Sequence, residues 1–153
     1  MDNDKILNGK EVSQKIKDDL KIEVDKLKEK GIFPKLAVIM VGNDEASKVY
    51  VKNKSKACDK VGVEFEEFLL DEKTTEKKLF DLIDKLNNDK SVNGILLQSP
   101  VPKHLDENQA FRRIDPIKDV DGFNPVNVGD LCIRKWLFYF MYTFWNHENF
   151  WIL

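Results

Sequence analysis

The chain has 153 residues, of which 42% are hydrophobic and 34% charged, with a formal net charge of -2. That length suits one domain with a real core rather than two of ordinary size, and the composition is that of a folded, soluble chain. No global basic field is present to draw in nucleic acid.

The two cysteines, Cys58 and Cys132, lie in no CxxC or ligand-spaced cluster. Zinc is therefore not expected, and both read as buried, small apolar residues. The opening MDNDKILNGK is polar, without an apolar signal segment, so the expected setting is cytoplasmic with free thiols.

In chain order, residues 10–30 read as an amphipathic helix, because Val12, Ile16, Leu20, Val24 and Leu27 recur every three or four positions. Gly31 stops it in a left-handed cap, and Pro34 follows. The apolar run 36–42 reads as a strand buried on both faces, turning at Gly42-Asn43-Asp44. A second helix covers about 45–60 and ends at Gly62. Residues 63–70 alternate loosely, which suits a strand nearer a sheet edge. Thr74 or Thr75 caps a helix carrying Leu79, Leu82, Ile83 and Leu86. Residues 92–97 form another short strand, and 105–114 a short helix closed by Asp115-Pro116. Alternation at this spacing predicts an α/β fold, a three-layer αβα domain with a mostly parallel sheet. Ligands in such sheets gather outside the C-terminal strand ends. The turn after Val41 and the loop Gln98-Ser99-Pro100-Val101-Pro102 both fall there.

Three polar groupings ask for a reason. Tyr50 and Lys54 are four apart and share a helix face, although a core tyrosine beside a solvated lysine fits as well. Gln98 follows a buried strand directly, on a loop stiffened by two prolines, and offers both a donor and an acceptor. A rigid loop with an incidental polar residue explains it equally. Asp119 and Asp121 precede Gly122 but lack the further oxygen ligands of a calcium loop. Asn124, Pro125, Asn127 and Gly129 extend that region as a turn-rich stretch that positions Asp121 rather than burying it. His104 reads as a surface residue. No G-x-G-x-x-G, P-loop or G-x-S-x-G pattern occurs.

In combination these stretches resemble the bifunctional methylenetetrahydrofolate dehydrogenase/methenyltetrahydrofolate cyclohydrolase family. The resemblance rests on Ile6-Leu7-Asn8-Gly9-Lys10, on Val41-Gly42-Asn43-Asp44-Glu45-Ala46-Ser47, and on Tyr50-Val51-Lys52-Asn53-Lys54-Ser55-Lys56-Ala57. It continues through Gly94-Ile95-Leu96-Leu97-Gln98-Ser99-Pro100-Val101-Pro102, Lys118-Asp119-Val120-Asp121-Gly122-Phe123 and Asn127-Val128-Gly129. It implies a one-carbon enzyme that oxidises 5,10-methylenetetrahydrofolate with NADP or NAD, then hydrolyses the methenyl product to 10-formyltetrahydrofolate. By that resemblance Lys54 is the catalytic lysine and Gln98 its hydrogen-bonded tuner. Tyr50 stacks on the aminobenzoate ring, and Asp121 grips the pterin. Ser47, Lys56 and Asp119 are supporting residues. The implied partners are tetrahydrofolate derivatives, with no metal, nucleic acid or membrane, and the family is homodimeric, largely through its second domain.

Departures from the family begin near Ile133. Residues 1–133 are expected to form the folate-binding catalytic domain, with the C-terminal dinucleotide-binding domain, and hence the NADP site, absent. Residues 136–153 read WLFYFMYTFWNHENFWIL and hold all three tryptophans. A frameshifted tail, a packing helix and a membrane-surface or partner-binding segment are the competing readings of residues 134–153. The abrupt change of composition, with no period that gathers the aromatics on one face, favours a frameshift. The alternative function is an inactive or folate-binding-only truncated remnant.

Overall fold

A strand buried on both faces needs a partner on each edge to satisfy its backbone. Strand β1 (Lys35–Val41) has both: it pairs in parallel with β2 (Glu64–Leu70) on one side and β3 (Gly94–Leu97) on the other. The sheet order is β2-β1-β3, which puts β2 at an edge, as its looser pattern predicts. This computed structural model describes residues 8–133, so the expectations for the segment 134–153 lie outside the described residues.

Parallel strands require crossovers. Helices α2 (Glu45–Val61) and α3 (Glu76–Asn88) supply them. Side chains alternate across β1. Ala37, Ile39 and Val41 join Leu79, Ile83 and Leu86 of α3, with Ile95, Leu97, Ala110 and Ile114, in one core. Val38 and Met40 meet Leu96 and Val51 of α2 on the opposite face. The result is the expected layered α/β domain. Helix α1 (Gly9–Glu29) packs along α2, and α4 (Glu107–Arg113) along α3.

Local chemistry sets the boundaries. Asp44 caps α2 by accepting from the Ser47 N–H, and Thr75, not Thr74, caps α3 through the Lys78 N–H. Gly62 closes α2 at φ +82°, a left-handed conformation natural to glycine.

Three expectations change. The apolar row of α1 is unevenly covered: Val24 is buried and Val12 and Leu27 are half-buried, whereas Ile16 is 45% and Leu20 41% exposed. The helix packs against α2 by part of that row, and Leu20 borders an open groove. The turn-rich stretch contains a helix, α5 (Pro125–Cys132), with Asn124 as its cap and Pro125 in the first turn. Cys132 is exposed rather than buried, because α5 buries only Asn127 and its last turn faces outward; Cys58 is buried as expected. Among the described residues no helix is long and apolar enough to cross a membrane.

Beyond β3 the chain adds a short fourth lane. The Ile95 N–H donates to the Lys118 carbonyl at 2.7 Å, and the Val120 N–H to the Ile95 carbonyl at 3.4 Å, with Ile95 opposite Asp119. Lys118 Nζ ties this lane to the end of α3 through the Leu86 and Asp89 carbonyls. Close approach depends on Gly94, where a Cβ would meet Val120 Cγ1 at 2.6 Å and Leu36 Cδ1 at 3.3 Å. Gly94→Ala is expected to destabilise the chain by about 1–3 kcal/mol through overpacking. Urea denaturation should register that loss, and adding Val120→Ala should recover most of it.

Candidate functional site

Parallel pairing sends all three strands out of the sheet on one side. Gln98 is the first residue after β3, with its N–H fixed on the Ile39 carbonyl at 2.8 Å. Lys54 lies on α2, whose crossover passes over the same end of the sheet. The two side chains, 44 residues apart in sequence, meet with Lys54 Nζ donating to Gln98 Oε1 at 2.9 Å. The amide nitrogen of Gln98 donates in turn to the Ser99 carbonyl at 2.7 Å.

The loop after Gln98 is held from two sides, and its Ser99–Pro100 peptide is cis. Ser47, buried in the first turn of α2, directs its hydroxyl to the Ser99 carbonyl at 3.5 Å. Glu107 Oε1 accepts from Ser99 Oγ at 2.6 Å and from the Val101 N–H at 3.2 Å.

Asp119 and Asp121 are divided by environment. Asp119 is buried, and its carboxylate accepts from the Gly122 N–H (3.1 Å), the Asn124 N–H (2.8 Å) and Asn127 Nδ2 (2.9 Å). It organises the turn at Gly122. Asp121 follows that lane, two residues beyond the bridge of Asp119 to Ile95, and lines one groove with Lys54 and Leu96. Burial pushes the Asp121 carboxyl above the usual carboxylate range; the Lys54 charge opposes that rise, and Asp119 adds to it. Asp121 is therefore partly desolvated, where the sequence predicts it unburied.

Lys54 and Asp121 sit on the wall of a groove of about 520 Å³, lined also by Leu36, Ala57, Cys58 and Leu96. Burial there raises the Cys58 thiol pKa, with Asp59 adding to the rise. Tyr50 stands one turn before Lys54 on α2 and is 62% exposed. Of the residues expected at the site, the structure joins Lys54, Gln98 and Asp121, with Ser47 and Asp119 behind them. Lys56 is exposed and is not part of the groove wall. His104 is exposed, but its ring Nε2 lies 2.9 Å from the Thr74 carbonyl. Glu107 was missed; an acid opening a helix is too common to signal a loop clamp.

The turn after β1 does not suit the pyrophosphate of a dinucleotide. The turn after β1, where a pyrophosphate would use free N–H groups at a helix N-terminus, presents the Asp44 carboxylate on the Ser47 N–H, with Glu45 beside it. No hydride step is assigned to these residues. Among them, no cluster of three or more His, Cys, Asp or Glu side chains is gathered to hold a metal ion.

The parallel sheet, its lysine–glutamine pair at a strand exit and a groove that runs from Lys54 toward the strand starts at Lys35 and Gly94 define a class of α/β domain. Residues 7–121 match the family model for the tetrahydrofolate dehydrogenase/cyclohydrolase catalytic domain, and the chain belongs to that family. It is 59% identical over 129 residues to the bifunctional protein FolD of Acetivibrio thermocellus, covering 84% of this chain and 45% of that protein. The FolD methylenetetrahydrofolate dehydrogenase/cyclohydrolase of Campylobacter jejuni superposes with a TM-score of 0.82 at 47% identity, covering 83% of this chain and 45% of that one. The Trypanosoma brucei enzyme, solved with NADP cofactor and inhibitor, gives 0.81 at 34% identity, over 86% and 45% of the two chains. The chain thus spans under half the length of these relatives.

The raised carboxyl of Asp121 has a sign. Its protonated form is favoured by folding, so its contribution is fully present below the ordinary aspartate value of about 3.9 and is lost as pH rises through the higher folded value. Asp121→Asn should therefore be more stable than the parent at pH 7, with the advantage vanishing near pH 4. Urea midpoints measured across that range test it; an advantage independent of pH would contradict the assignment.

Proposed function

We propose that the described residues form the folate site of a methylenetetrahydrofolate dehydrogenase/methenyltetrahydrofolate cyclohydrolase, and that this chain carries the hydrolytic part of that chemistry. The observation that carries the reading is the Lys54–Gln98 hydrogen bond at 2.9 Å, beside the partly buried Asp121, in a chain of this family. In the complete reaction 5,10-methylenetetrahydrofolate first loses hydride to NADP or NAD. Such a nucleotide would bind outside the described residues.

Hydrolysis needs few groups. Water adds to the methenyl carbon between N5 and N10 and releases a proton. The bond from that carbon to N5 then breaks as N5 takes up a proton and the new hydroxyl gives up its own, leaving the formyl group on N10 and one proton released overall. Lys54 moves these protons and donates a hydrogen bond to the oxygen that develops on the bridging carbon. Gln98 holds one Nζ–H, which leaves the remaining protons free to face the groove. Asp121 accepts N–H groups from the pterin edge, whose amino and ring nitrogens are donors. Tyr50 offers a flat face to the aminobenzoate ring. Its exposure also favours a second reading, folate binding without turnover, because nothing among the described residues covers that face.

Loss of methenyltetrahydrofolate absorbance separates these readings. The wild-type chain should hydrolyse it faster than buffer, and Lys54→Met should return the rate to that of buffer while folate still binds. Tyr50→Ala should weaken folate binding by roughly three- to tenfold, the scale of an aromatic stack. Binding without acceleration would select the second reading. A wild-type chain that binds no folate would overturn both.

A further inference from the structure

We propose that Glu107 is a positioning residue for the Lys54–Gln98 pair, acting from α4 through the Ser99–Val101 loop. The proposal deepens the folate reading and rests on it for its catalytic consequence.

An ammonium only donates hydrogen bonds, so Lys54 requires the oxygen end of the Gln98 amide. Rotating that amide by half a turn would set an NH2 group against the ammonium. The choice between the two orientations is made at the far end of the amide, where the nitrogen needs an acceptor. The Ser99 carbonyl is that acceptor, at 2.7 Å. The direction of the Ser99 carbonyl therefore decides whether Lys54 has its partner.

Few groups are available to hold that carbonyl. Pro100 and Pro102 carry no N–H, so Val101 is the sole backbone donor across 100–102. One oxygen of Glu107 takes that donor at 3.2 Å and the Ser99 hydroxyl at 2.6 Å, gripping the loop on both sides of Pro100. The Ser47 hydroxyl, at 3.5 Å, is a weaker restraint on the same carbonyl. Glu107 is itself well anchored. It sits in the first turn of α4, where the helix dipole favours an anion. Asp106 caps that helix on the Gln109 N–H, and Ala110 seats it in the core. Glu107 does not line the groove, so its influence reaches Lys54 only through the loop and Gln98.

The test pairs a spectroscopic signal with kinetics on the whole chain. In wild type the side-chain amide resonances of Gln98 should be displaced from those of free glutamine, as both ends of the amide are bonded. Glu107→Ala should move them toward the free position. It should also lower kcat for methenyltetrahydrofolate hydrolysis roughly tenfold, with KM changed less than twofold, the scale of losing a charge-assisted bond. Glu107→Gln keeps an acceptor oxygen and should restore most of both. Ser99→Ala removes one donor and should shift the same resonances partway; it serves if Glu107→Ala does not fold. Unchanged Gln98 resonances in folded Glu107→Ala or Ser99→Ala would overturn the proposal. An inactive wild-type chain with no folate binding would instead overturn the folate reading, and the amide resonances would still decide the role of Glu107.

Discussion

Parallel pairing of β1 along both of its edges is the constraint on which the rest depends. A strand so enclosed has no face for water, hence the continuous apolar run from Ala37 to Val41. Because its neighbours run in the same direction, each connection must cross the sheet, and each strand exits at the same end. Lys54 reaches Gln98 because α2 is one of those crossings and the Gln98 loop one of those exits. The fourth lane at 118–120 adds two backbone hydrogen bonds to β3, and Asp121 follows it onto the groove wall beside Lys54.

Two carboxylates two residues apart serve that end differently. Asp119 is saturated by backbone and side-chain donors and acts as an internal brace. Asp121 lies on the groove wall, partly desolvated and facing the charge of Lys54. A buried acid without such donors is costly, and this difference sets their order: the braced acid holds the turn, and the turn presents the other.

Much of the architecture was legible in the sequence because local physics decided it. The unbroken run of β1, the Asp44 and Gly62 ends of α2, and the amphipathic α3 each declare themselves within a few residues. The α1 row misled because periodicity reports which residues could be covered, not what covers them. Helix α5 was hidden by Asn, Pro and Gly, although Asn124-Pro125 is itself a helix-start signal. The site was less legible. Lys54 among five lysines of one helix, and Gln98 after a strand, are unremarkable separately; only the resemblance linked them. Glu107 left no signal, since its partners Ser99 and Val101 become neighbours only once the loop has turned around Pro100.

One edge of the sheet has a consequence for how copies of the chain meet. Strand β2 carries Glu64, Glu66 and Glu67, with Lys35 of β1 paired to the first two at 3.5 and 3.7 Å. Its outer backbone is unpaired among the described residues. A second copy adding its own β2 there in parallel register would align acid against acid, and Lys35 is already shared within the chain. The sheet is thus self-terminating: the glutamates act as a solubility guard on the side where an aliphatic strand would invite fibrous growth.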